Sequence, residues 1–168
     1  MTNYYRVFLG SGGKFADQAL EEGWVGTGWI ENADLTGRFP DNWKDFNAEF
    51  IPLVMDHDGI RSKVGAGLAC GMTWTLGRGI QIGDVVVSSD QSDTFHIGRV
   101  LSDYEFIQGG PLSHRRRVDW TGQTFRRDQV SEELRRSLSS GNTISRLGQH
   151  APELDAFLNG VPGQITVN

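Results

Sequence analysis

The stretch that most constrains the fold runs from Gly23 to Leu35, where a strand pattern passes through two glycines and ends in an acidic, amide-bearing turn. Residues 23–30 predict a single strand, because tryptophan, valine and isoleucine dominate them. Gly26 and Gly28 lie where strand side chains normally stand, and a glycine inside a strand often marks close approach by another group. We therefore expect this strand to end beside a binding surface.

Trp29 is followed in this turn by Asn32 and Asp34. A flat ring beside an amide and a carboxylate can hold a planar polar ligand such as a nucleobase. The alternative is that Trp29 is a core residue and that the residues after it form an ordinary turn. Both interpretations stay open on these residues alone.

Length and composition favour one strand-rich domain. A chain of 168 residues suits a single core, and 22 glycines imply many turns. About six short strands, with helices mainly in the first half and near the end, predict an α+β fold around a small β-barrel flanked by helices. We place the domain at residues 1–158 and a linker or tail at 159–168.

Several elements have specific sequence signals. Val85 to Val87 form a buried run that should pair, through the polar link at 88–93, with a strand over 94–101. Residues 115–120 predict a further strand, with 123–127 leading off it. Asp41 and Ser131 are expected to cap helices, since their side chains can accept hydrogen bonds from the first backbone amides.

Positive charge is local and consists of arginine. The net charge of the chain is −5, yet residues 114–127 hold five arginines and one aspartate. The planar guanidinium suits phosphate oxygens better than an ammonium group does. The alternative is a solvated strand edge, since strand alternation would separate residue 116 from 115 and 117. The residues expected to contact a nucleic-acid backbone are Arg115, Arg116, Arg117, Arg126 and Arg127.

No catalytic residue, metal site or cofactor is predicted. The four histidines lie in dissimilar contexts, and the Asp56-His57-Asp58 run is expected to be a solvated loop rather than a metal cluster. The single Cys70 fits a reducing compartment. Because neither a membrane span nor a secretory leader is visible, we expect a cytoplasmic binding domain that is not an enzyme by itself.

Aromatic side chains, in contrast, can form a base-binding site. A base inside a duplex must be flipped out before it can be read, and stacking rings then receive it. Stacking on one aromatic ring is worth about 1–3 kcal/mol per base. The rings available for this are Trp24, Trp29, Trp74, Phe95 and Tyr104, beside Trp120.

The order of these motifs resembles the PUA-like superfamily that includes the EVE, ASCH and YTH domains. It is most similar to the EVE-like sensing domains at the N-terminus of modification-dependent (type IV) restriction endonucleases. The similarity covers residues 4–147, and the order of the motifs carries it. They are Gly28-Trp29-Ile30 followed by residues 31–35, the helix with Trp74, Ile82 to Val87, Ile97 to Val100, His114 to Trp120, and the helix from Ser131 leading to Ile144.

The resemblance implies a barrel with an aromatic cage that accepts a flipped modified base. Trp29 would be one wall, Asn32 or Asp34 would read the base edge, and Trp74 would be a second wall or a support. The arginines would grip the DNA backbone.

The expected ligand is double-stranded DNA with 5-methylcytosine or 5-hydroxymethylcytosine, read in a bacterial phage-defence system. A nuclease domain or subunit would be the effector, and a homodimer is possible. The alternatives are an RNA-binding module that reads a modified base and a sensor of a free modified nucleoside or nucleotide.

Overall fold

The computed structural model describes residues 1–160 and has a mixed α+β fold, in which helices flank a curled half-barrel sheet. This confirms the predicted fold class, a small barrel flanked by helices. The strands are β1 (Tyr4–Val7), β2 (Trp24–Thr27), β3 (Val85–Ser89), β4 (Thr94–Val100), β5 (Glu105–Phe106), β6 (His114–Arg126) and β7 (Ile144–Arg146). The helices are α1 (Ala16–Glu22), α2 (Trp43–His57), α3 (Lys63–Trp74), α4 (Glu132–Leu138) and α5 (Ala151–Leu158).

The long strand β6 is the centre of the sheet. Six strands follow the order β2-β6-β4-β3-β1-β7, and the two-residue β5 also pairs with β6. β1 and β3 are parallel, and the other described pairs are antiparallel. β6 has 13 residues, so it pairs with β2 and β5 through its first part and with β4 through the rest.

Alternate residues of the central strands enter two different cores. Val86 packs with Tyr5 on one face of the sheet, whereas Val85 and Val87 pack with Tyr4 on the other face. Side chains of a strand alternate between its two faces, which accounts for this division. The second face is covered by α4 and α5, which contribute Leu134, Leu138, Leu154 and Phe157 to that core.

A third core lies under the turn that follows β2. Ile30 and Leu35 pack there against Phe46 and Phe50 of α2 and against Cys70 of α3. The helices therefore support the segment that contains Trp29.

Some predicted boundaries are wrong for local reasons. β2 ends at Thr27 rather than residue 30, because residues 29 and 30 turn. The separate segments 115–120 and 123–127 are one strand, β6. α2 is capped by Asn42, whose side chain accepts from Asp45 N–H, rather than by Asp41. The predicted hairpin of β3 and β4 and the Ser131 cap of α4 are confirmed.

Two buried arginines hold main-chain carbonyl groups in the fold. Arg6 is fully buried and donates to the carbonyl oxygens of Leu138, Ser140 and Asn142. Arg116, only 2% exposed, donates to the carbonyl oxygens of Ser102, Leu76 and Ile80. A buried carbonyl without a partner is costly, so these guanidinium groups stabilise the loops that close the barrel.

Within residues 1–160, no helix combines the length and the apolar character that a membrane crossing requires. The predicted tail at 159–168 falls almost entirely outside the described residues.

We predict that Arg116→Met lowers the free energy of unfolding by about 2–4 kcal/mol, because three buried carbonyl oxygens lose their donor. Arg117→Met is the matched control, since the Arg117 side chain is 61% exposed and pairs only with Glu105 on the surface. It should change stability by less than about 1 kcal/mol. Urea unfolding monitored by circular dichroism measures both, and equal losses would contradict a structural role for Arg116.

Candidate functional site

A cavity of about 730 Å³ lies beside the end of β2. Four short segments form most of its wall: the glycine-rich loop after β1, the end of β2, the β3–β4 turn and the loop before β7. Its lining residues are Phe8, Gly10 to Gly13, Gly26 to Trp29, Ser89, Asp90, Gln91, Asp93, Leu112, Arg127, Gly141 and Thr143. Segments that are distant in sequence thus meet around one space of the size typical for small-molecule sites.

Thr27 gives this cavity a polar contact that the protein does not satisfy. The residue is 1% exposed, and its hydroxyl group has no hydrogen-bond partner among residues 1–160. An unsatisfied buried hydroxyl costs about 1–3 kcal/mol. The half-buried Trp29 lines the same cavity and packs against the third core. A planar ligand with a hydrogen-bonding edge would therefore find a ring and a free hydroxyl group together.

The glycine loop contributes backbone rather than side chains to the wall. Gly10, Gly12 and Gly13 all have positive φ angles, which other residues rarely adopt. A Cβ on Gly13 would lie 3.1 Å from the carbonyl oxygen of Ser89, so the loop sits tightly against the β3–β4 turn. This arrangement lets a ligand approach the main chain closely.

Gly26 in β2 and Gly28 just after this strand have different roles. A Cβ on Gly26 would lie 2.8 Å from the carbonyl oxygens of both Leu112 and His114, so this glycine is required by the chain itself. A Cβ on Gly28 would meet only Leu112 Cδ2, at an ordinary 3.5 Å. Gly28 therefore leaves space that belongs to the cavity.

Backbone strain is concentrated at this site. Among residues 1–160, the non-glycine residues with positive φ are Ile30, Asp93 and Leu112. Asp93 and Leu112 line the cavity, and Ile30 is next to Trp29 in the chain. Such conformations cost about 1–3 kcal/mol each and cluster at functional sites. A β-branched isoleucine at φ 53° is especially unfavourable.

Hydrogen bonds hold the turn after Trp29 from several directions. The Ile30 N–H donates to Asp58 Oδ2 at 3.0 Å, and His114 Nε2 donates to the Ile30 carbonyl at 2.9 Å. The Tyr104 hydroxyl donates to His114 Nδ1 at 2.7 Å and accepts from Leu35 N–H at 3.1 Å. Because a carbonyl oxygen can only accept, His114 carries its proton on Nε2. Burial lowers the pKa of His114 and keeps the ring neutral.

The two carboxylates in the wall already have partners. Burial of Asp90 opposes its ionisation, but hydrogen bonds from His96, Ser92 and Thr94 outweigh this effect and lower its pKa to about 2. Asp90 therefore fixes the β3–β4 turn. Asp93 accepts from Arg127 Nε at 3.0 Å, on a rim where the Asp93 side chain is 60% exposed.

Among the predicted base-binding rings, only Trp29 lines the cavity. Trp24 is buried beneath the Arg115 guanidinium, and Phe95 stacks on Phe125 in the second core. Trp74 donates to the Pro40 carbonyl and supports the third core. Tyr104 contributes indirectly, through the His114 hydrogen bond that holds the Trp29 turn.

The predicted edge readers lie outside the cavity lining. Asn32 and Asp34 are both exposed. Asp34 accepts from the N–H and hydroxyl groups of Thr36, and these bonds lower its pKa. Both residues belong to the turn beyond Trp29, and the polar groups that face the cavity come from other segments.

The predicted arginines divide into three groups. Arg115 and Arg116 are both buried, and Arg117 is the exposed member of that run. The exposure of the three side chains therefore does not alternate along the strand as expected. Arg115 donates to the carbonyl oxygens of Pro111 and Leu112 and supports the loop beside the cavity. Arg117 and Arg126 form surface ion pairs. Arg127 alone lines the cavity.

Other potentially reactive groups are poorly placed for chemistry. In the described part of the chain, no group of three or more His, Cys, Asp or Glu side chains is arranged to hold a metal ion. Asp56 and His57 end α2 instead of forming a loop, and Asp58 anchors Ile30. Cys70 is buried, and burial raises its pKa to about 11.

The chain belongs to a family described as a domain of unknown function (DUF8426), whose model matches residues 5–148. This range includes every segment that lines the cavity. Comparisons with curated proteins and with solved structures gave no match.

We predict that alanine at Gly26 and alanine at Gly28 affect stability to different extents. Gly26→Ala should lower the free energy of unfolding by about 1–3 kcal/mol, because its Cβ would overlap two carbonyl oxygens. Gly28→Ala should stay within about 1 kcal/mol of the natural chain. Thermal and urea unfolding measure the pair, and similar losses in both would contradict an open space at Gly28.

We also predict that stability falls as the pH drops below about 6.5. Unfolded His114 takes up a proton near its ordinary pKa of 6.5, whereas the buried ring resists protonation. The unfolded state then binds more protons, and the free energy of unfolding decreases by at most about 1.4 kcal/mol per pH unit. His114→Gln retains a donor for the Ile30 carbonyl and should flatten this dependence between pH 7.5 and 5.5. An unchanged slope in that variant would assign the effect elsewhere.

Proposed function

We propose that this domain is a DNA-binding sensor of a modified base, with 5-methylcytosine or 5-hydroxymethylcytosine as the expected ligand. The base would be flipped out of the duplex and received in the cavity beside Trp29. The observation that carries the proposal is a cavity whose wall contains both Trp29 and Thr27, whose buried hydroxyl group has no hydrogen-bond partner within residues 1–160. The order of motifs that resembles EVE-like sensing domains supports the same ligand class.

The energetics suit a flipped base. Extrusion from the stack costs a few kcal/mol. Stacking on Trp29 would return about 1–3 kcal/mol, and a hydrogen bond to Thr27 would add about 1 kcal/mol and relieve an unsatisfied buried group. These two contacts are of the size needed to offset the extrusion.

The fixed Trp29 turn favours selectivity. Asp58, His114 and Tyr104 hold the turn in a strained conformation before any ligand is bound. A site that is already ordered loses less entropy on binding. A single added methyl or hydroxyl group can then be distinguished. The unmodified base would leave a gap at that position, because the walls do not rearrange to fill it.

The exposed arginines would supply a modest, salt-sensitive grip on the backbone. Arg117 and Arg126 are exposed, and each pairs with a carboxylate that is itself at least one-third exposed. Exposed ion pairs are worth about 0–1 kcal/mol, so phosphates can displace them. We expect DNA binding to weaken with salt more gently than five free arginines would imply.

We propose a nuclease domain or subunit as the effector and a bacterial cytoplasm as the setting, because the resemblance is to sensing domains of restriction endonucleases. The burial of Arg115 and Arg116 favours one alternative, a sensor of a free modified nucleoside, since it reduces the basic surface. Binding of that nucleoside as tightly as the modified duplex would support the alternative. Preference for RNA over DNA of the same sequence would indicate a reader of modified RNA.

We predict that Trp29→Ala lowers the affinity for modified duplex by roughly 5- to 150-fold, the equivalent of one lost base stack, and removes the preference for modified over unmodified duplex. Fluorescence anisotropy would compare duplexes that carry one central cytosine, 5-methylcytosine or 5-hydroxymethylcytosine. Trp43→Ala is the matched control, because Trp43 is 48% exposed on α2 and does not line the cavity. It should retain the preference.

Two outcomes would contradict the proposal. Equal affinity of the natural chain for modified and unmodified duplexes would remove the claim that it senses modification. A full preference in Trp29→Ala would place the base elsewhere. Circular dichroism of each variant would separate a lost contact from a lost fold.

A further inference from the structure

Two guanidinium groups support the loop over residues 138–143, which forms one wall of the cavity. Arg6 donates from behind to the carbonyl oxygens of Leu138 and Ser140. Arg127, which lines the cavity, donates from Nη1 to Ser139 Oγ at 2.9 Å. Gly141 and Thr143 of this loop face the cavity. The wall therefore has positive charge both behind it and at its rim.

The charge on Arg6 is not neutralised locally. In residues 1–160, no carboxylate lies within ion-pair distance of its guanidinium, and its Nε has no hydrogen-bond partner. Burial, with a contribution from the charge of Arg127, lowers the pKa of Arg6 to about 10. Arg6 is therefore still a cation at neutral pH, in surroundings that screen its field weakly.

Arg127 is positioned by contacts that a bound anion could replace. Its Nε donates to Asp93 Oδ2 at 3.0 Å, and its guanidinium carbon lies 5.0 Å from the centre of the Phe95 ring. The Arg127 side chain is 30% exposed and that of Asp93 is 60% exposed. An ion pair so open to water is worth little, and a guanidinium binds phosphate oxygens in a bidentate way.

The other wall also suits an anion. The loop from Gly10 to Gly13 brings main-chain groups without side-chain bulk, and the Thr27 hydroxyl is free to donate. Asp90, the remaining carboxylate, has His96 at 2.8 Å and the Ser92 and Thr94 amides as partners. Its charge is thus compensated within the β3–β4 turn, and Asp93 is the carboxylate that competes with a bound anion for Arg127.

We propose that the cavity contains a phosphate subsite, in which Arg127 exchanges Asp93 for a phosphate group of the bound nucleotide. The inference rests on the proposed function, since the base would occupy the Trp29 side of the same cavity. It assigns Arg127 to the nucleotide inside the pocket rather than to the outer DNA backbone, and it makes Asp93 a competitor that tunes affinity.

Substitutions at the two partners should therefore have opposite effects on anion binding. The probe is inorganic phosphate, titrated at constant ionic strength against chloride while ¹H–¹⁵N spectra follow the amides of Gly10, Gly12 and Thr27. Asp93→Asn removes the competing charge and should tighten binding by roughly two- to fivefold, the worth of an exposed ion pair. Asparagine tolerates the positive φ of residue 93, so the turn is kept. Arg127→Gln should weaken binding by about tenfold or more.

Arg136→Gln is the matched control, because Arg136 is an exposed arginine on α4 that pairs with Glu132 and does not line the cavity. It should stay within about twofold of the natural chain. Equal weakening by Arg127→Gln and Arg136→Gln would overturn the subsite, as would the absence of saturable shifts in the natural chain. A failure of modified-base preference leaves this phosphate measurement unaffected, so the two proposals can fail separately.

A second measurement distinguishes the source of the phosphate. Replacing the phosphodiester next to the modified base by a neutral methylphosphonate should weaken duplex binding by about tenfold in the natural chain and much less in Arg127→Gln. If the natural chain instead binds the modified nucleoside 5′-monophosphate more tightly than the nucleoside and ignores the methylphosphonate, the subsite serves a free nucleotide. If the methylphosphonate does not weaken duplex binding and the 5′-phosphate does not tighten binding of the nucleoside, the subsite is excluded.

Discussion

The structure depends on guanidinium groups that are buried against main-chain carbonyl oxygens. A half-barrel with short strands leaves many carbonyls in loops, where no sheet partner reaches them. Arg6 donates hydrogen bonds to carbonyl oxygens of the loop before β7. Arg116 does the same for carbonyl oxygens of the segment that follows α3. Each arginine replaces several water molecules with donors in a fixed planar geometry. Loops that would otherwise need solvent can therefore pack against the curled sheet and enclose a cavity.

The same requirement explains why Arg115 and Arg116 are buried in a run of charged residues. A run of three arginines in a strand predicts alternation between solvent and core, and charge predicts exposure. Arg115 and Arg116 both follow a different rule, because each guanidinium donates to main-chain carbonyl oxygens of neighbouring loops. Local sequence does not show which carbonyls a fold will leave without partners, and that information decides where these side chains go.

Much of the fold was predictable, and the site was predictable only in part. The β3–β4 hairpin and the Ser131 cap follow from local signals, and these need no knowledge of distant contacts. Trp29 was identified from its place after a glycine-containing strand. Thr27, the Gly10–Gly13 loop and Asp93 could not be identified, because they meet Trp29 only through the curl of the sheet. Gly26 illustrates what the sequence does not show. The groups that approach this glycine closely are carbonyl oxygens of the chain itself, not a ligand.

The pairing of β1 with β7 has a consequence for how the domain is made. Tyr5 is in register with Arg146, so β1 and β7, the first and last described strands in chain order, are neighbours in the sheet. The loop that accepts hydrogen bonds from Arg6 lies just before β7, so the Arg6 guanidinium lacks these carbonyl partners until that loop has been synthesised. A nascent chain with only β1 to β6 outside the ribosome would have an incomplete cavity wall and a buried-type arginine exposed to water. Contacts of such long range form slowly, so the cavity wall is completed only after nearly the whole domain has emerged.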